Sequence, residues 1–394
     1  MALIFWISSV ALIFTFLGYP CLIGVLARLF PKQASHAAPL TSQRVSIVLI
    51  VFNARNLILE RLKNLLAQDY PIFEIVVVCD GCTDDTPEMV SGFGDPRIKL
   101  ISRASRSGKS GCLNHGIEAA TGDIVVLTDV RQQFRVDAIS HLIENFSDSR
   151  VGAVSGALEI QSAKESIGKG IGSYWSLEKE LRRAESILDS CIGCTGAIYA
   201  IRRSLFTPIP VDTLLDDVVI PMQIALSGYR IAFNPRAVAF DPQPLSPDRE
   251  SVRKRRTLAG NFQILFRYAQ WMLPWKNRLW MQLIAHKYLR LVAPIFLITL
   301  LVANFFLLKH WVYIGAFTLQ LGVYLLGILG GFPYLNRFRL FSLPASFLFL
   351  NRMVLCGLTD YLVSPITGTW ESGPGSVPKA GKEHAASKSS SKAL

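Results

Sequence analysis

The sequence predicts an α/β protein, with a mostly parallel sheet flanked by helices and transmembrane α-helices at both ends. Three observations carry this. Strand-length runs rich in Val and Ile alternate with segments of helical spacing from about residue 45 onward, the pattern of a parallel sheet with right-handed crossovers. Apolar residues are segregated, at 1–27 and again after about 287. Overall, 51% of the 394 residues are hydrophobic and 18% charged. That composition excludes a disordered chain, a collagen-like fibre and a small disulfide scaffold.

Residues 2–27 are almost free of charge, and about 20 apolar residues suffice to span a bilayer. A cleaved signal peptide would begin with a basic region and carry a shorter apolar core, so the segment reads as a retained anchor. Arg28, Lys32 and Arg44 follow it. By the positive-inside bias the N-terminus is outside, and the chain from residue 28 is cytoplasmic at a bacterial-type inner membrane.

Next come VSIVLIVF (45–52), EIVVVC (74–79), IKLIS (98–102) and DIVVLT (123–128), which read as strands buried on both faces. Segments 57–68, 84–90, 109–120 and 137–146 have helical spacing between and after them. Ligands on such sheets bind beyond the carboxyl ends of the strands. Chemistry is therefore expected at Asn53, at Asp80 to Asp85 and at Asp129 to Arg131.

Residues 258–285 mix Phe262, Phe266, Tyr268, Trp271, Trp275 and Trp280 with basic residues, as a segment lying along lipid headgroups would. Candidate spans follow at 289–308, 311–332 and 341–363. Asn351 and Arg352 interrupt the last, leaving it a full span or a re-entrant helix. The expected organisation is an anchor at 1–28, a cytoplasmic domain at 40–250, a basic and interfacial segment at 251–287, transmembrane or re-entrant helices at 288–364, and a disordered tail at 365–394.

Lysine and arginine outnumber acidic residues 41 to 29, for a net +12. No nucleic-acid-binding signature accompanies the charge. The basic residues flank apolar segments or form the run Arg253 to Arg256, which fits a membrane surface and an anionic substrate. The seven cysteines include C-x-x-C pairs at Cys79/Cys82 and Cys191/Cys194. Small buried residues in a reducing compartment are the reading favoured over a zinc site.

Five motifs could carry chemistry. Asp80-Gly81-Cys82-Thr83-Asp84 puts a carboxylate at a strand end, where it can accept from a sugar hydroxyl or a base imide; Thr83 or Asp84 would equally serve as a plain N-cap. Lys109, in Gly108-Lys109-Ser110-Gly111, opposes the helix dipole unless a phosphate joins it at the helix start. Arg103 breaks the spacing of a P-loop. Asp129 ends an apolar strand and is a hard oxygen ligand suited to Mg²⁺ or Mn²⁺ shared with a diphosphate. Asp216 and Asp217 are adjacent carboxylates that raise each other's proton affinity, which suits a general base. Arg253 to Arg256 reads either as a positive-inside flank or as a clamp on a leaving diphosphate.

In this order, together with Asn53 and the Thr195-Gly196-Ala197 element, the motifs resemble the membrane-embedded family-2 glycosyltransferases with a GT-A fold, which include cellulose, chitin-oligosaccharide and hyaluronan synthases. The resemblance covers about residues 45–260. It implies that Asn53, Asp80 and Lys109 bind the nucleotide-sugar, and that Asp129 is the first aspartate of a D-x-D metal motif. It further implies that Asp217, with Asp216 beside it, is the general base, and that Arg253 and Arg256 contact the diphosphate. Tyr174, Trp175, Glu178, Thr195 and Gly196 would lie on the acceptor side. The implied activity is inverting transfer from a nucleotide-diphospho-sugar, UDP-linked, to a glycan or lipid-linked hydroxyl at the membrane. A processive, exporting synthase and an inactive nucleotide- or glycan-binding protein are the alternatives. Two positions depart from the family: Arg131 replaces the second aspartate of D-x-D, and Thr257 replaces the tryptophan of the Q-x-x-R-W element of polymerising members.

Overall fold

A computed structural model describes residues 1–32, 43–160, 168–241 and 247–363, with side chains except at 160, 168–175 and 247–250. The expected tail at 365–394 lies outside the described residues. At the centre is one eight-stranded sheet. Its strands are β1 (Val45–Val51), β2 (Ile72–Asp80), β3 (Ile98–Arg103), β4 (Ile124–Asp129), β5 (Gln133–Phe134), β6 (Val151–Ile160), β7 (Tyr199–Arg202) and β8 (Arg230–Asp241), in the order β3-β2-β1-β4-β7-β6-β8-β5.

β1 to β4 pair in parallel, as the alternation of strand and helix requires. Successive residues of β1 enter different cores. Val48 and Ile50 pack with Val76, Val78 and the helix Gly108–Ala119; Ile47 and Leu49 pack with Ile75, Val77 and the helix Ile58–Leu66. Burial on both faces is why these strands read as continuous apolar runs. β3 differs from expectation. It lies at the sheet edge and is only half-buried. β7 runs antiparallel to both β4 and β6. This reversal brings the Thr195-Gly196 segment, just before β7, beside the end of β4.

Among the described residues, four helices are long and apolar enough to cross a membrane: Ala2–Leu29, Trp280–Phe305, Trp311–Leu329 and Arg339–Val363. Ser8 and Thr299 hydrogen-bond at 3.0 Å, tying the first of these to the second. The interrupted stretch around Asn351 is one continuous helix, and it docks on the basic helix Pro247–Arg267 through an Arg255–Asp360 ion pair. The segment expected along the headgroups divides its aromatics. Phe266 and Trp275 are exposed, but Phe262 and Trp271 are buried in the core beneath the sheet. Residues 283–288 form a π-helical turn inside Trp280–Phe305.

Candidate active site

β1, β2 and β4 end side by side, with Ile50 in register with both Val78 and Asp129. Asn53 follows β1 in the left-handed region, at φ 47°. Its amide oxygen accepts from the Thr83 N–H at 2.8 Å and its amide nitrogen donates to Thr83 Oγ1 at 3.1 Å, which ties the first loop to the second. Asp84 accepts from the Thr86 N–H at 3.1 Å, serving the helix start. Asp80 is fully buried. Its two oxygens accept from the backbone N–H groups of Ser107 (2.6 Å) and Gly108 (3.1 Å). Gly81 permits this close approach: its φ is +63°, and a Cβ there would stand 2.8 Å from the Arg106 nitrogen. The strand-end carboxylate thus fixes the start of the helix Gly108–Ala119, one residue before Lys109.

Lys109 is the electrostatic hub. Its ammonium lies 3.0 Å from Asp129 Oδ1 and 3.3 Å from Asp216 Oδ1. Burial alone would pull its pKa down; Asp129, Asp216 and Asp217 together outweigh that and hold it above its ordinary value. Asp216 is buried and accepts from the Tyr199 hydroxyl at 3.2 Å. Arg256 faces the same three carboxylates, and among the described residues it makes no hydrogen bond or ion pair. Arg253 turns away, toward Asp241 at 3.9 Å, which Arg131 also binds at 2.8 Å.

Asp217 is the second residue of the helix Asp216–Leu226 and lines a cavity of about 90 Å³. Its Oδ2 accepts from the Gly196 N–H at 3.0 Å. Burial, and then the neighbouring charge of Asp216, push its pKa up to about 6. Glu178, Arg182, Thr257, His286 and Lys287 also line this cavity. Glu178 accepts from His286 (2.9 Å), Arg290 (3.0 Å) and Arg182 (3.3 Å). It is desolvated, but these cations keep its carboxyl well below the usual range. Arg182 donates to Thr195 Oγ1 at 2.8 Å. The far side of His286 meets Glu185 at 2.9 Å, and Glu185 accepts from Tyr19 at 2.6 Å.

The structure therefore brings Lys109, Asp129, Asp216, Asp217 and Arg256 together, with Gly196 and Glu178 beside Asp217. Asp80 and Asn53 brace the loops behind Lys109. The side chains of Tyr174 and Trp175 lie outside the described residues. Sequence reasoning missed Arg182, Glu185, His286 and Lys287. The signal available was a His-Lys pair inside an otherwise apolar stretch.

As to metal, no three His, Cys, Asp or Glu side chains converge as a ligand set among the described residues. Asp129 alone fits: its side chain is 43% exposed, and its second oxygen takes no hydrogen bond from the described residues. A divalent cation there would have to draw its other ligands from a substrate and water.

Residues 46–209 match the family "Glycosyl transferase family 2". Over 229 residues the sequence is 26% identical to the poly-beta-1,6-N-acetyl-D-glucosamine synthase of Staphylococcus aureus, covering 57% of this chain and 56% of that one. The corresponding synthase of Staphylococcus epidermidis is 24% identical over the same length and shares. The chain thus spans about half the length of the curated relatives it matches. A mannosyltransferase from Pyrobaculum calidifontis, solved in complex with GDP-Man and Mn²⁺, superposes with a TM-score of 0.70. It covers 91% of this chain and 99% of its own, at 23% identity, and shows the fold. The sheet and its cleft are those of a GT-A fold. The match at residues 46–209 is to a family-2 glycosyltransferase domain, and the relatives the chain resembles include polysaccharide synthases.

Proposed function

We propose that the protein transfers one or a few sugars, with inversion, from a UDP-linked sugar to a hydroxyl of a glycan or lipid-linked acceptor at the membrane. The observation that carries this is Asp217. It is a carboxylate poised at about 6, oriented by the Gly196 amide and separated from the Asp129–Lys109 pair only by its neighbour Asp216. A donor diphosphate fits beside Lys109 and Arg256, whose charges face the carboxylate end of the sheet. Asp129 would hold Mg²⁺ or Mn²⁺, which when bound neutralises diphosphate charge. Asp217 takes the proton of the acceptor hydroxyl. The acceptor oxygen then bonds to the anomeric carbon from the face opposite the diphosphate, whose C–O bond breaks and which departs with the electron pair. Lys109 and Arg256 offset the charge that builds on the leaving oxygens. General-base help of this kind contributes roughly 10²–10⁴-fold.

Thr257 lines the cavity where polymerising relatives are expected to carry an aromatic platform. This supports short products over processive synthesis and export. The basic residues at the end of the first helix and just after it, Arg28 and Lys32, support a cytoplasmic catalytic domain. The test is a panel of nucleotide-sugars supplied with Mn²⁺ to membranes containing the protein, following free nucleoside diphosphate and product length. A single added sugar supports the proposal, and a ladder of long products favours a synthase. No release from any donor would reject glycosyl transfer.

A further inference from the structure

Lys287 has no part in the donor chemistry, yet it is the cavity residue hardest to explain without a ligand. It sits near the start of an apolar helix long enough to cross a membrane, where an ionisable side chain is costly and is retained for a reason. The π-helical turn at Leu283–Tyr288 inserts an extra residue and helps set both His286 and Lys287 on the cavity wall. Such turns recur at functional sites. His286 is fully occupied, between Glu178 and Glu185. Glu178 already serves three cations, and Arg182 is spent on Glu178 and Thr195. Asp217, the remaining carboxylate of the cavity, feels the charge of Lys287 but lies beyond ion-pair distance. Among the described residues Lys287 makes no hydrogen bond or ion pair.

A desolvated ammonium with no carboxylate within ion-pair distance is poorly compensated until something anionic fills the gap. The gap adjoins the carboxylate that deprotonates the acceptor. We infer that Lys287 is the acceptor-specificity residue, binding an anionic oxygen carried on the acceptor close to the attacking hydroxyl. The acceptor is then acidic, its charge coming from a phosphate, as in a phosphoglycerol headgroup, or from a carboxylate, as in a uronic sugar. This rests on the transfer reaction proposed above.

The test uses the full chain in detergent, saturated with UDP and Mn²⁺ so that the donor side is filled. Calorimetry compares glycerol 3-phosphate with glycerol, and glucuronate with glucose. One acidic probe should bind at least tenfold tighter than its neutral partner, and which one does so identifies the source of the charge. The preference should vanish in Lys287→Met and persist in Lys287→Arg. Equal binding of acidic and neutral probes, or a preference that survives Lys287→Met, overturns the inference. UDP binding is titrated first in each protein. Wild-type protein that fails to bind UDP would instead refute the transfer reading.

Discussion

The Gly196 amide donates to Asp217 Oδ2 at 3.0 Å, and a Cβ on residue 196 would stand 3.0 Å from that same oxygen. Glycine therefore both orients the Asp217 carboxylate and leaves it room. Gly196→Ala has to push the carboxylate aside, and small misplacements of a catalytic group cost about 10²-fold. Turnover should fall by about that factor while UDP affinity stays within about twofold. Parallel kinetics and nucleotide titration would check this, and a proportional loss of UDP binding would count against it.

Asp217→Asn should lower turnover by at least 10²-fold and leave UDP binding intact. A variant that keeps more than about a tenth of wild-type activity would show that another group takes the proton.

The raised pKa of Asp217 sets two pH effects. Turnover should decline below about pH 6, as the base is protonated. Stability runs the other way. The folded state holds this proton more tightly than an unfolded carboxyl near 3.9 would, so ionisation costs stability as pH rises through about 6. Asp217→Asn removes that cost. Its thermal midpoint should exceed wild type by a few degrees at pH 7.5 and match it near pH 4. Melts at the two pH values read the difference directly.

Lys109 stands between two carboxylates, Asp129 and Asp216. Lys109→Met strands both and should reduce stability and donor binding together. Adding Asp216→Asn relieves the stranded charge, so the double variant should regain stability but not donor affinity. If both recover, Lys109 is only a structural counter-ion.

Chelation of divalent cations should abolish turnover, and added Mn²⁺ should restore it. In Asp129→Ala the restoration should fail at Mn²⁺ concentrations that saturate wild type. Rescue equal to wild type would place the ion elsewhere.

β1, β2 and β4 are legible because burial on both faces leaves unbroken Val/Ile runs. β6 to β8 were not read as strands. β6 carries Gly152, Ser155 and Gly156, and β8 carries Asn234 and Pro235, with register irregularities where β6 meets β8. The carboxylates are legible because each stands at the boundary of an apolar strand or helix. Asp80 shows the limit of that reading, since a strand-end carboxylate and a loop brace have the same local sequence. The Arg182–Glu178–His286–Glu185 cluster was invisible for a different reason. Its members come from two helices about a hundred residues apart, and only packing reveals that they meet.

The hydrogen-bonded chain from Tyr19 through Glu185, His286, Glu178 and Arg182 to Thr195 makes the first apolar helix more than a tether. Trimming it would strip one end from a relay of alternating charges whose other end reaches Thr195, next to the Gly196 that holds Asp217. Such a fragment would keep its sheet and lose the bracing of the cavity beside Asp217. The first apolar helix and the cavity beside Asp217 thus share one hydrogen-bonded network.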